Sequence, residues 1–183
     1  MKFFSQIFLA LAAAVLALAG CSQSSESEKP KKEGHETSQT KKQKDLSGSS
    51  SLKPPAGGLK GIVIQVLDGD MIAVKLTSGK TETVHLALVD TPDKKQPYGK
   101  EAFTFTSTNL TAREVTLETD AQERDKEGNL LAYVWSGDKL FNEILLQQGF
   151  AKMTGNPPNA KYKKEFSSVE TKVRKAKTGI WSI

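Results

Sequence analysis

Between Leu59 and Trp135 the chain breaks into five short β-rich runs, each closed by a turn signal, and this pattern restricts the fold more than any other feature. Ile62, Ile64 and Val66 alternate with Val63 and Gln65, and Asp68-Gly69 turns the chain into a second run from Met71 to Leu76. Thr77-Ser78-Gly79-Lys80 leads to a third run, Thr81 to Leu88. Glu114 to Thr119 and Leu130 to Trp135 are the fourth and fifth, separated by the charged loop RDKEGN from Arg124 to Asn129. Strands this short and this numerous fit a small barrel or sandwich. Helical stretches are expected at Lys100 to Leu110, Lys139 to Gln148 and Lys161 to Lys177. Gly149 is placed to stop the second, and Phe166, Val169 and Val173 give the third an apolar stripe. The class is therefore α+β, mostly β, with Phe150 and Trp181 expected in the core.

With 183 residues, 37% of them apolar, the chain has material for one domain plus extensions. The extensions are N-terminal. Lys2 precedes a run from Phe3 to Ala19 that is apolar apart from Ser5 and Gln6, the pattern of a secretory signal. Leu18-Ala19-Gly20-Cys21 resembles the bacterial lipobox, in which cleavage exposes the cysteine for lipid attachment. Cys21 is the only cysteine, which excludes an intramolecular disulfide and a CxxC metal site. Residues 1–20 thus read as a lipoprotein signal peptide. Residues 21–58, rich in Ser, Lys, Glu, Gln and Gly, read as lipidated Cys21 and a disordered tether. Residues 59–183 are the folded domain. The expectation is a monomer lipid-anchored at the extracytoplasmic face of the cell membrane.

Charge divides the domain. Lys161 to Lys177 holds seven basic residues against two acidic ones, whereas Leu59 to Ala160 holds eleven basic against fourteen acidic. A solvated helix face explains the basic run, and so does affinity for a polyanion.

Two acidic turns carry the chemistry: Asp68 with Asp70, and Asp90-Thr91 with Asp93. Each alone is an ordinary turn opener. Together, each directly after a strand, they offer the hard oxygen ligands that hold a cation such as calcium, and a cation so held activates water and polarises a phosphoryl oxygen.

The blocks VLDGDMIAV, LALVDTPD, RDKEGNLLAYVW, FNEILLQQGFAK and GIWS stand in the order and spacing of the thermonuclease family, the calcium-dependent micrococcal-type nucleases, which this chain resembles over nearly all of residues 59–183. The resemblance implies a five-stranded OB-fold barrel with three helices. It implies calcium ligands at Asp70, Asp90 and the Thr91 backbone, with Asp68 in support, and a water-activating or water-aiming carboxylate at Asp93, where the family has glutamate. Lys126 matches a residue near the nucleotide phosphate, and Arg124 lies close enough in sequence to swing toward the site. The family's two phosphate-binding arginines are replaced here by His85 and Asn129, and the base-stacking tyrosines are absent: Glu127 occupies the loop position, and MTGNPPN follows Lys152. Tyr133 matches a packing aromatic. His85, on an alternating strand, also reads as a partly buried hydrogen-bonded residue.

Two functions follow from the resemblance. One is a surface-anchored calcium-dependent nuclease hydrolysing DNA or RNA, weak or altered because fixed charge is missing at two phosphate contacts. The other is a non-catalytic OB module binding nucleic acid or another polyanion, motivated by the basic third helix. A changed phosphodiester substrate is a third possibility.

Overall fold

The computed structural model describes residues 52–154 and 158–183. The expected signal peptide, Cys21 and all but the last residues of the expected tether lie outside the described residues, as do residues 155–157 of the segment after Lys152.

The five expected strands form, and three two-residue strands accompany them. In chain order they are β1 (Leu59–Asp68), β2 (Met71–Leu76), β3 (Thr81–Leu86), β4 (Val89–Asp90), β5 (Glu114–Glu118), β6 (Leu130–Ser136), β7 (Lys139–Leu140) and β8 (Lys152–Met153). The helices are α1 (Gly99–Leu110), α2 (Phe141–Gln147) and α3 (Lys163–Lys175), with a short 3-10 turn at Gly179–Trp181. β1 runs antiparallel to both β2 and β5, β2 to β3, and β5 to β6. The ring closes where β3 lies parallel to β6, with Val84, His85 and Leu86 opposite Leu130, Leu131 and Ala132. This is a closed five-stranded mixed barrel of the OB type, and closure removes the sheet edges that an open sheet this short would expose.

β1 shows why simple alternation misstates its inner face. Its register against β2 shifts between Val63 and Gln65, so Val63 and Val66 both point inward although three residues apart. Ile62 and Ile64, the more apolar-looking set in the sequence, face outward and are about half exposed. A bulge of this kind resets the two-residue period and tightens the strand's twist, which a five-stranded barrel needs at its corners. Val63, Ile72, Val74, Val84, Leu117 and Val134 fill the interior; each contributes about 1.5–3 kcal/mol by leaving water.

Three further differences have local causes. The third strand stops at Leu86 rather than Leu88, because Leu88 adopts a left-handed backbone (φ 63°) and a new strand starts at Val89. The second helix starts at Phe141 rather than Lys139, since Lys139 and Leu140 fold back on Ser136 and Trp135 as a hairpin. Phe150 and Trp181 sit at the rim, not in the core: both are half-buried, Phe150 against Phe105 and Trp181 beneath the Arg174 guanidinium at 4.0 Å.

Helix α3 is held by aromatics. Phe166 and Val173 are buried, and Tyr162 meets Tyr133 edge-on at 4.7 Å. Buried Glu118 accepts hydrogen bonds from Tyr162, Trp135 and Lys161, which compensates its desolvation. Asn142 at the start of α2 is also buried and satisfied: its Oδ1 accepts from Val134 N and its Nδ2 donates to Ala87 O. That pair fixes α2 against β6 and against the turn leading to β4.

Candidate functional site

The turn from β1 to β2 is clamped from three sides. Asp68 Oδ1 accepts from Gly69 N at 2.8 Å, Thr106 Oγ1 of α1 donates to Gly69 O at 2.6 Å, and Lys94 Nζ donates to Leu67 O at 2.7 Å. A side chain at Gly69 would meet Thr91 Oγ1 at 2.5 Å and Ala102 Cβ at 3.0 Å. Glycine there lets the turn approach the end of β4, and the approach brings together two sequence-distant acids. Thr91 N donates to Asp70 Oδ2 at 3.0 Å, across 21 residues of chain.

The Asp70 carboxyl is buried. Burial raises its pKa above the ordinary value, against the hydrogen bond from Thr91 and the field of His85, and the negative charge of Asp90 raises it further. Asp90 is half-buried, and its Oδ2 is paired with Lys152 Nζ at 2.9 Å across the antiparallel β4–β8 pair. That pairing raises the lysine's pKa.

β3 supplies the opposite wall. His85 stands opposite Met71 in the ladder and so beside the turn. Its Nε2 lies 3.9 Å from Asp70 Oδ2, and its Nδ1 lies 3.2 Å from Asp125 Oδ2. Asp125 opens the loop before β6 and closes it on Asn129: Oδ1 accepts from Asn129 N at 2.8 Å and Oδ2 from Asn129 Nδ2 at 2.9 Å. Burial pushes the Asp125 carboxyl up, but the two Asn129 hydrogen bonds and the one from His85 outweigh it and hold the group below its usual value.

The structure therefore gathers Asp70, Asp90, Thr91, His85 and Asn129 at one mouth of the barrel through direct contacts or one intermediary. Asp93 follows on an exposed loop that packs closely under Gly99 as α1 begins. Lys126 is exposed on the Asp125–Asn129 loop. Arg124 goes elsewhere: its guanidinium is bidentate to Glu82, at 2.9 and 3.1 Å, and also donates to Gly128 O. Glu82 and His85 are three residues apart on one strand and so occupy opposite faces of it. Two residues that the sequence pattern did not single out, Asp125 and Lys152, are central to the site's bonding. Asp125 looked like a turn residue between two cations, and Lys152 pairs only because β8 returns beside β4.

A hard cation is the group that the resemblance implies here, and the side chains suit one. A buried carboxyl whose acidity is opposed by a neighbouring carboxylate gains from a positive ion placed between them. Among the described residues no three His, Cys, Asp or Glu side chains converge on one point. An ion at Asp70 and Asp90 would thus complete its shell with backbone oxygen and water, as hard cations do. Thr91 Oγ1 is buried without a partner among the described residues, against Gly69.

Comparison with known proteins agrees with this architecture. Residues 83–183 match the family model described as "Staphylococcal nuclease homologue". The chain is 43% identical over 126 residues to a thermonuclease of Staphylococcus hyicus, covering 66% of this chain and 74% of that protein. It is 37% identical over 145 residues to a thermonuclease of Staphylococcus intermedius, covering 74% of this chain and 86% of that one. It is also 38% identical over 126 residues to endonuclease YncB of Bacillus subtilis, covering 64% and 59%. With the closed barrel, the acid pair at its mouth and a family match over more than half its length, the chain belongs to the thermonuclease, or staphylococcal nuclease, family.

Proposed function

We propose that this protein is a calcium-dependent endonuclease that hydrolyses phosphodiester bonds of DNA or RNA, at a rate below that of enzymes with two arginines at the phosphate. The observation that carries this reading is the buried Asp70 carboxyl, bonded to Thr91 N and facing Asp90 at the barrel mouth. Asp70, Asp90 and the Thr91 carbonyl would hold calcium, which when bound polarises a phosphoryl oxygen and a water molecule. Asp93 aims the attacking water from its exposed loop. His85 Nε2 meets the phosphate from the β3 wall, and Lys126 lies along the nucleotide backbone. Asn129, neutral and bonded to Asp125, supplies no charge to the transition state. Loss of a preorganised charge donor reduces turnover by about 10²–10³.

The lipobox pattern at Leu18–Cys21 supports a second element of the proposal, anchoring at the outer face of the membrane with residues 21–58 as a spacer. Mass spectrometry of the purified protein should find diacylglyceryl on Cys21, and Cys21→Ala should move the protein out of the membrane fraction.

The decisive assay follows cleavage of single- and double-stranded DNA and RNA by the full chain with calcium and with chelator. Calcium-dependent cleavage abolished by Asp70→Ala supports the nuclease. Cleavage that survives Asp70→Ala refutes the site. Salt-dependent binding without cleavage favours instead a non-catalytic polyanion-binding module. One observation favours that second reading: α3 presents Lys163, Lys164, Lys172, Arg174 and Lys175 as exposed residues while it buries Phe166 and Val173.

A further inference from the structure

We propose that Asp125 is a positioning residue for His85, forming with Asn129 a three-membered relay that aims the imidazole Nε2 at the substrate side of the site. The proposal rests on the nuclease reading above and adds to it a residue and an orientation.

The geometry is specific to this combination of side chains. Asp125 Oδ2 receives two donors, His85 Nδ1 at 3.2 Å and Asn129 Nδ2 at 2.9 Å, while Oδ1 receives Asn129 N at 2.8 Å. A carboxylate is acceptor-only when ionised, so the His85 nitrogen facing it must carry the hydrogen. Nε2 is then the nitrogen left for the cleft, where it stands 3.9 Å from Asp70 Oδ2. This holds for both the neutral ring and the cation, since Nδ1 bears a hydrogen in each. Asp125 thus fixes which ring edge faces substrate whatever the proton count at Nε2.

The carboxylate is itself held. With 13% of its side chain exposed, Asp125 has little freedom to leave, and its two bonds to Asn129 close the loop over four residues. His85, at 34%, is open on the remaining side. An imidazole turned by 180° about its Cβ–Cγ bond would carry Nδ1 away from the carboxylate and misplace Nε2, so orientation is the property at stake. Asn129 gains a role here that neutrality at a phosphate contact denies it: it buttresses Asp125.

The test separates orientation from loop stability and from the nuclease reading. The chain has two histidines, His35 and His85, so the full chain carrying His35→Gln presents a single imidazole to nitrogen-15 NMR. At a pH where the ring is neutral, the expected spectrum shows hydrogen on Nδ1. Asp125→Ala should give a mixture of tautomers, and Asp125→Glu should restore part of the Nδ1 form. In cleavage assays with calcium, Asp125→Asn and Asp125→Ala should lower kcat about 10–100-fold with little change in KM. On a His85→Ala background the same changes should lower kcat less than twofold, because the group they position is gone. A ring that keeps hydrogen on Nδ1 in Asp125→Ala overturns the proposal. So does an undiminished kcat loss on the His85→Ala background, which would make Asp125 a loop residue only. If the parent chain cleaves nothing, the nuclease reading falls while the tautomer measurement still decides whether Asp125 orients His85.

Discussion

Strand β3 carries two charged clusters three residues apart, and they behave in opposite ways. At Glu82 every group is matched: Arg124 grips the carboxylate with two hydrogen bonds and Lys80 adds a third contact at 2.5 Å. Those bonds, the arginine's first, pull the Glu82 carboxyl down to about 2. At His85 the matching is incomplete. Asp70 is buried with a raised pKa, and among the described residues Nε2 has Asp70 Oδ2, at 3.9 Å, as its ion-pair partner. Neighbouring loop residues divide the work: Arg124 turns to the Glu82 face and Asp125 to the His85 face. A cluster whose donors and acceptors are all consumed serves the fold. One that keeps a buried acid poorly compensated is prepared for something absent from the chain.

The largest test of this contrast is Asp70→Ala. Removing the buried carboxylate should cut calcium-dependent cleavage at least a thousandfold, on the order of 4 kcal/mol in the transition state. The fold should survive. At neutral pH and without calcium, Asp70→Asn should melt no lower than the parent, because the lost group is destabilised by burial and by Asp90. Calcium should raise the parent's melting temperature, by a free energy of about 2.7 kcal/mol at a hundred times Kd, and leave the variant's unchanged. A variant that melts far below the parent would place Asp70 with Glu82 as a structural group.

At Glu82 the order of effects reverses. Glu82→Gln should lower the melting temperature modestly, because Arg124 is open to solvent, and leave turnover of the folded protein unaltered. A rise in turnover would show that Arg124, released from its clamp, reaches the phosphate. The pH dependence follows the same division. A carboxyl whose folded pKa is depressed to about 2 from an ordinary 4.5 stabilises the fold fully above 4.5, and that contribution disappears as pH falls toward 2. Asp125, also depressed, acts in the same direction. Asp70, raised, acts in the opposite one and favours the fold as it takes up its proton. Thermal melts between pH 5 and 2 should therefore fall for the parent and fall less for Glu82→Gln.

Much of this is legible in the amino-acid sequence. The five runs gave the barrel strands because turn signals punctuate them, and the two Asp-containing turns lay where strand ends must meet. What stayed hidden depends on pairing between distant segments. The β1 bulge inverts the apparent meaning of Ile62 and Ile64, since a period of two cannot reveal an extra residue. Arg124 is indistinguishable in sequence from a phosphate ligand until Glu82 appears beside it. Asp125 reads as a turn residue until closure of β3 on β6 brings His85 within 3.2 Å. Residues joined by a single turn can be grouped from the sequence, whereas the contact of Asp125 with His85, made by barrel closure, cannot.

The smallest effect belongs to Lys152, whose ammonium already pairs with the Asp90 carboxylate. Its pair with Asp90 is open to solvent, with 58% and 42% of the two side chains exposed, so it is worth no more than about 1 kcal/mol. An ion arriving at Asp90 must compete with that ammonium. Lys152→Gln should therefore tighten calcium binding about two- to fivefold by calorimetry, with the gain shrinking as salt rises. Weaker binding would mean that Lys152 holds Asp90 in a ligating position. The lysine would then resemble Arg124, a partner that fixes a carboxylate, rather than a competitor for it.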